Sequence, residues 1–472
     1  MKNGKTTFAL FFGNRGFFPA SLIKSAREEL PRILKAWGNQ TIMMPQAATR
    51  YGAVETVDEG AAYARFLIEN RGRFGGVILC LPNFGDETGA VAALKGAGVP
   101  ILIHAYPDEL DKLGPALRRD SFCGKFSIMD VFTQYAIPFT VFPPHVAHPA
   151  DQPFRTNVQS FDRVCRVANG MKNVVVGMIG ARTTPFKTVR CDELTLQKHG
   201  IAVETIDLSS VIARTKAVDD AAQPFKEKAQ QLKTASDWTN VPAQAFENVA
   251  KLGVVLDEIV AEYKMDAVAI RCWLELQEQL GISPCAVMGL MTDAGVPAAC
   301  ETDVGSAVSM RLLTLASGQS SACLDWNNNY GREKDKCILF HCSAVAPSLI
   351  RGPGRIQDHA ILANAVGAGR SFGPNTGRLA PTDFTFGNLL TDSGEIQFYI
   401  GEGRITDDPI DESFLGCAGV AQIAAMEAVF LHVGRRGHRH HVNVTPGLHS
   451  GPIEEAMTRY LNYKVALPQK RL

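Results

Sequence analysis

Gly76-Val-Ile-Leu-Cys-Leu81, Glu87-Thr-Gly-Ala-Val-Ala-Ala-Leu-Lys-Gly96 and Pro100-Ile-Leu-Ile-His-Ala105 follow one another with only short turns between them. The outer two are continuous apolar runs of strand length, and the middle one reads as a helix. Strand, helix, strand is the βαβ unit, whose strands run parallel and are buried on both faces. The rhythm extends toward the N-terminus. Residues 6–12 form another apolar strand, and residues 21–37 carry Leu22, Ile23, Ala26, Leu30, Ile33 and Leu34 at helical spacing. A mostly parallel, doubly wound sheet is the expected result.

A second series begins near Asn173. It contains strands at 174–179, 202–206, 267–272 and 297–300, and helices at 186–199, 243–263, 285–293 and 304–316. The Pro/His-rich stretch Phe142-Pro-Pro-His-Val-Ala-His-Pro149 lies between the two series and reads as a boundary, with a helix-like 158–169 packing back on the first domain. Beyond about residue 330 the character changes. Gly and Pro are frequent from 343 to 381, and alternating segments at 382–390 and 395–401 flank Asp392-Ser-Gly. Helices are expected at 418–431 and 453–461. The predicted fold class is therefore α/β: two doubly wound parallel-sheet domains, 1–170 and 171–325, followed by a β-rich C-terminal domain, 326–472.

The 472 residues are 46% hydrophobic and 20% charged, enough for sizeable cores. Forty-eight basic residues balance forty-eight acidic ones, which argues against a general nucleic-acid or anionic-membrane surface. The eleven cysteines are scattered without a CxxC pair, several inside apolar runs, as expected for reduced thiols in the cytoplasm. There is no signal-peptide pattern and no run of about 20 apolar residues.

Two acids end two successive strands. Glu301 follows Val296-Pro-Ala-Ala-Cys300 and precedes Thr302-Asp303, a helix cap; Asp325 follows Ser321-Ala-Cys-Leu324. Open α/β sheets place ligands at such strand ends. Paired carboxylates suit hard divalent ions and proton transfer. Five of the eleven histidines lie between His432 and His449, including Gly437-His-Arg-His-His441 ahead of the strand-like Val442-Asn-Val-Thr445. These imidazoles are metal-ligand candidates; a basic loop interleaved with Arg435, Arg436 and Arg439 is the competing explanation. His341 ends another apolar strand. No GxGxxG fingerprint occurs, which disfavours an NAD(P)-dependent oxidoreductase.

Several segments, in order, resemble the L-fucose isomerase / L-arabinose isomerase family. Ala298-Ala-Cys-Glu-Thr-Asp-Val-Gly-Ser-Ala-Val-Ser-Met310, with Leu324-Asp325 after it, resembles the metal-binding segment of L-fucose isomerase. Arg182-Thr-Thr-Pro-Phe-Lys-Thr-Val-Arg190 with Glu193, Asn14-Arg-Gly-Phe-Phe-Pro19, Leu81-Pro-Asn-Phe-Gly-Asp-Glu87 and Phe122-Cys-Gly-Lys125 are similar to shorter fucose-isomerase-like proteins. His440-His441-Val442 resembles the C-terminal ligand segment, which makes His441 the third ligand beside Glu301 and Asp325. The resemblance implies a Mn²⁺-dependent (or Mg²⁺- or Co²⁺-dependent) aldose–ketose isomerase working through an ene-diol, with Glu301 and Asp325 as both ligands and proton carriers. It also implies a homo-oligomer, commonly a hexamer, in which a neighbour's N-terminal domain closes each active site, with Arg15 as the across-subunit contact. The substrate would be a monosaccharide, either a neutral L-fucose, D-arabinose or L-arabinose type or a 6-sulfonated hexose such as sulfoquinovose. Candidate sugar contacts are Arg15, Asn83, Arg271, Trp273, Trp326, His341 and His440. For Trp273 and Trp326 core packing is the equal alternative. Arg271 either pairs with an acid of the site or binds an anionic substituent. A sugar-binding regulator on two α/β domains is the competing function.

Overall fold

The computed structural model describes residues 4–470. They form two compact units, one of residues 4–170 with 455–462, the other of 171–454 with 463–470.

The first unit holds a four-stranded parallel sheet, β1 (Phe8–Phe12), β2 (Thr41–Met43), β3 (Gly76–Leu81) and β4 (Ile101–Ala105), in the order β2-β1-β3-β4. Strands β1, β3 and β4 are buried throughout, as their unbroken apolar runs require. The order reverses between β1 and β3, so a crevice opens beyond their C-terminal ends. Asn14, Arg15 and Asn83 stand there. Arg15 Nε donates to Gly85 O (2.9 Å), its guanidinium pairs with Glu87, and Asn83 Oδ1 accepts from Arg15 N (3.2 Å). Edge strand β4 is held at its start by Tyr460, whose hydroxyl lies 2.9 Å from Thr140 Oγ1 and accepts from Ile101 N at 3.3 Å.

Lys125 is 3% exposed in this unit, with Nζ donating to His145 O at 2.7 Å. Burial lowers its pKa from 10.5 to about 8. Below pH 8 the folded state carries a desolvated charge. Between about pH 8 and 10.5 only the unfolded chain holds that proton, so rising pH favours the fold. The urea midpoint of the wild type should therefore climb relative to Lys125→Met over this window, by up to about 3 kcal/mol in free energy. A constant difference from pH 7 to 10 would refute the assignment.

The second unit opens with another parallel sheet, β5 (Val174–Ile179), β6 (Ile201–Ile206), β8 (Ala267–Ile270) and β9 (Ala298–Cys300), in the order β6-β5-β8-β9; β7 (Ser236–Asp237) joins a different sheet. The pattern repeats that of the first unit. Helix Ala243–Tyr263 lays Val249, Leu252, Val255, Leu256 and Ile259 into this core.

The β-rich part comprises β10 (Ala322–Asn329), β11 (Lys336–His341), β12 (Gly354–Ile356), β13 (Asn375–Arg378), β14 (Thr382–Leu390), β15 (Gln397–Ile405), β16 (Cys417–Gln422), β17 (His441–Pro446) and β18 (Lys464–Ala466). Six of them run β15-β14-β17-β10-β11-β16, and the β15–β16 pairing closes the ring into an antiparallel barrel. Closure leaves these six strands no open edge. Helix Val304–Ser317 is buried on all sides from Val304 to Ala316 and packs on β8 and β9 as well as β14 and β17. It joins sheet to barrel.

One expected element is corrected. The helix expected at 418–431 is strand β16 followed by helix Met426–Arg436. The small residues Cys417-Ala-Gly-Val-Ala421 imitate a helix by propensity, but they are all buried between β11 and its other neighbours, where larger side chains do not fit. Among the described residues no helix is long and apolar enough to cross a membrane.

Candidate active site

Strand β9 ends at Cys300, and the chain turns sharply. Glu301 (φ 62°) and Thr302 (φ 59°) both adopt the left-handed conformation. Each such non-glycine residue costs about 1–3 kcal/mol and persists only where its surroundings fix it. The turn lifts the Glu301 carboxylate off the strand end and returns the chain to helix at Val304. Asp303 caps that helix, accepting from Ser306 N (3.0 Å) and Ser306 Oγ (2.7 Å).

Register supplies the other two groups. Asp325 on β10 stands directly opposite His441 on β17, and directly opposed residues share one face of a sheet. His441 is fully buried. Its Nε2 lies 3.0 Å from Glu301 Oε2 and 3.6 Å from Asp325 Oδ1. Its Nδ1 lies 2.8 Å from Asp303 Oδ2. A carboxylate on Nδ1 fixes the tautomer and aims the Nε2 lone pair at the two acids. Burial disfavours charge on His441, yet Cys323, Asp303 and Glu301 around it outweigh that and hold it well above the ordinary histidine value. Burial likewise opposes ionisation of Glu301, but the adjacent His441 lowers its pKa all the same.

Glu301 Oε2, Asp325 Oδ1 and His441 Nε2 are each buried without a hydrogen-bond partner. Buried polar atoms are normally satisfied, so these atoms, with both oxygens within 3.6 Å of His441 Nε2, mark a place for a cation. Two carboxylate oxygens and an imidazole nitrogen suit hard divalent ions of the manganese or magnesium kind. The donor set fits the implied metal.

Other candidates gather around this centre. Trp273 Nε1 donates to Glu301 Oε1 at 3.4 Å. Phe186 bridges Trp273 and His440, with ring centroids 5.4 and 5.6 Å away. His341 lies 5.9 Å from His441, ring to ring. His440 Nε2 reaches to 3.6 Å from Asp325 Oδ1, and the ligand atoms of Glu301, His440 and His441 lie within 4.8 Å of one another. Burial and the neighbouring His441 keep the His440 pKa below its ordinary value.

Two candidates have other partners. Trp326 packs edge-on against Phe386 and Phe430 in the barrel core, with centroids 5.5 and 5.2 Å away; strand alternation turns it away from the face that carries Asp325. Arg271 is gripped by Glu275 through both ends of its fork (Nε to Oε2 2.5 Å), and Nη1 donates to Ala181 O (3.2 Å). Its partner, Glu275, is not among the acids expected at the site. Arg15 and Asn83 belong to the first unit, as described above.

The Fucose/sulfoquinovose isomerase N-terminal domain family matches residues 9–172, and the L-fucose isomerase C-terminal domain family matches 339–467. The chain belongs to the fucose-isomerase-like family. Its relatives include the sulfoquinovose isomerase of Alkalicoccus urumqiensis, 25% identical over 299 residues (63% of this chain, 66% of the relative). That of Priestia megaterium (strain ATCC 12872 / QMB1551) is 23% identical over 269 residues (57% and 58%). That of Clostridium sp. (strain MSTE9) is 23% identical over 311 residues (66% and 67%). The match thus spans just under two-thirds of the first of these and less of the second.

Three features of this fucose-isomerase-like site escaped sequence reasoning. Asp303 is also the anchor of His441. Arg439, 3% exposed, is no part of a surface loop: its Nε lies 3.4 Å from Asp303 Oδ1, Nη2 donates to Arg190 O (2.9 Å) and Nη1 to Leu389 O. A signal was present in Gly305, where a Cβ would stand 2.7 Å from Arg439 Nη1, so only glycine lets the guanidinium approach. The third is the segment expected as helix 186–199. It has only a 3-10 turn, Lys187–Val189, before Asp192, whose carboxylate caps a short helix, Glu193–Lys198. Pro185 and the Asp192 cap shorten the helix and free Phe186 to face the site.

Proposed function

We propose that the chain is a divalent-metal-dependent aldose–ketose isomerase acting on a monosaccharide through an ene-diol, with Glu301, Asp325 and His441 as ligands. The convergence of three unsatisfied buried donor atoms carries this proposal. A bound ion would polarise the sugar's carbonyl and ease the build-up of negative charge on its oxygens. The protein does the remainder. Glu301, ionised through His441, and Asp325 stand on either side of one point, placed to take the proton from C2 of the aldose and return it to C1, and to move the hydroxyl proton from O2 to O1. Asp303 and Arg439 hold His441 still. Trp273, Phe186 and His440 offer flat faces that orient the sugar and keep water out.

The substrate class we favour is a 6-sulfonated hexose such as sulfoquinovose, the substrate in the names of the relatives, ahead of a neutral fucose or arabinose type. With Arg271 committed to Glu275, the anion would fall to the exposed Arg182 in the loop that carries Phe186. Proton NMR of an aldose panel with Mn²⁺, including sulfonated and phosphorylated hexoses, tests activity and substrate together. Ketose formation abolished by EDTA is expected, and no turnover of any sugar would overturn the proposal.

His441→Ala should weaken Mn²⁺ binding by more than about 100-fold, with excess Mn²⁺ partly restoring turnover, and His440→Ala by less than about 10-fold. Calorimetric titration showing the reverse order would move the ligand to His440. We also propose that the protein works as a homo-oligomer in the cytoplasm, where its eleven free thiols would remain reduced. Arg15 would complete a neighbour's site. A fully active monomer by light scattering would exclude this assembly.

A further inference from the structure

Beside the oxygen-rich donors lies a second set that the isomerase reaction does not need. Cys323 sits two residues before Asp325 on β10, so it faces the same way, and it is 6% exposed. His341 ends β11, and His441 begins β17, which pairs with β10. The Cys323 sulfur and ring nitrogens of His341 and His441 lie within 4.8 Å of one another, and all three residues are buried. Tetrahedral thiolate–imidazole sites have donor–donor edges of roughly 3.5 Å, so side-chain shifts of about 1 Å would close this set on an ion. His441 Nε2, fully buried and 3.0 Å from Glu301 Oε2, is the atom that this set shares with the oxygen donors.

We propose that Cys323, His341 and His441 form a soft-metal site that shares His441 with the Glu301–Asp325 set, so that zinc-class ions bind there and displace the catalytic ion. Hydrogen bonding to Asp303 occupies Nδ1, which leaves His441 one lone pair, and one ion at a time can use it. Carboxylate oxygens favour manganese or magnesium, whereas thiolate and imidazole favour zinc, cadmium or cobalt. Binding at the soft set releases the Cys323 thiol proton to solvent and forms a metal–sulfur bond. Cys323 thereby becomes the residue that decides which metals silence the protein. The silencing rests on the function proposed above; the binding does not.

The full chain, stripped of metal and titrated with Co²⁺, provides the test. One equivalent should produce the near-ultraviolet sulfur-to-cobalt charge-transfer absorption. Cys323→Ser and Cys323→Ala should abolish it, and Cys342→Ser should keep it. Zn²⁺ affinity by competition titration should fall about 10-fold or more in the Cys323 variants, with Mn²⁺ affinity held within about 3-fold. No sulfur–cobalt band in the wild type, or a band that survives in Cys323→Ala, overturns the proposal. A chain that shows the band but isomerises no sugar would fail the proposed function and leave this site standing.

Discussion

Glu301→Gln and Asp325→Asn should each reduce turnover by about 10²–10⁴-fold while leaving far-ultraviolet circular dichroism unchanged. Each substitution keeps the side chain's volume and removes one negative ligand and one proton carrier. Neither strands a partner, because Glu301 Oε2 and Asp325 Oδ1 accept no hydrogen bond. The fold is therefore expected to tolerate what the chemistry does not. Glu301→Gln also removes a negative ligand from the ion, so Mn²⁺ affinity should fall together with rate. A variant with near-normal turnover at saturating sugar would remove that residue from the mechanism.

Asp303→Asn should be costly in a different way. Asp303 and the Arg439 side chain are both almost fully buried, 0% and 2% exposed. Neutralising the acid leaves the guanidinium without a counter-charge, and breaking a buried pair this way costs about 3–5 kcal/mol. Weakened orientation of His441 should also reduce metal affinity about 10–100-fold. Burial works against ionisation of Asp303, but Arg439, His441 and Ser306 prevail and keep its pKa well below the ordinary carboxylate range. A depressed folded pKa gives stability that is complete above the unfolded value and drains away as pH falls below it. Wild-type stability should thus drop steeply below about pH 4, and Asp303→Asn should lack that component. Equal melting temperatures for the two proteins at pH 7, measured by calorimetry, would contradict the buried pairing.

The parts of the fold that sequence revealed were those where one physical rule acted alone. Apolar runs of strand length between helical periods read as buried parallel strands, and so the second four-stranded sheet and three strands of the first were legible; β2 (Thr41–Met43), short and half-buried, was not. Glu301 and Asp325 were noticed as acids closing apolar runs; that holds for Glu301, just past β9, but Asp325 stands inside β10 (Ala322–Asn329), where register opposite His441 rather than a strand end places it. Where two rules competed, the local one misled. The Asp303 side chain satisfies helix Val304–Ser317 as a cap, and that sufficient local reason concealed its bond to His441. Arg439 lies among Arg435, Arg436 and His440, a run that looks solvated, and only tertiary contact with Asp303 shows otherwise. Strand alternation would turn His440 away from His441, but β17 begins at His441, so alternation does not govern the residue before it. Strand β16 was masked by its small residues, whose size is dictated by neighbours far away in sequence.

Tyr460 carries a consequence for the order in which the molecule can be made. The first unit takes residues 455–462 from far along the chain, and the Tyr460 hydroxyl occupies the start of β4. At about 5–20 residues per second, synthesis reaches that segment on the order of tens of seconds after residue 170. Throughout that interval the nascent unit has its four strands but lacks the side chain that secures their edge. Thr140 already pairs with that edge in the meantime, its N–H donating to Ile101 O and its carbonyl accepting from Ile103 N, so Tyr460 adds a late fastening to an edge that is partly covered from the start.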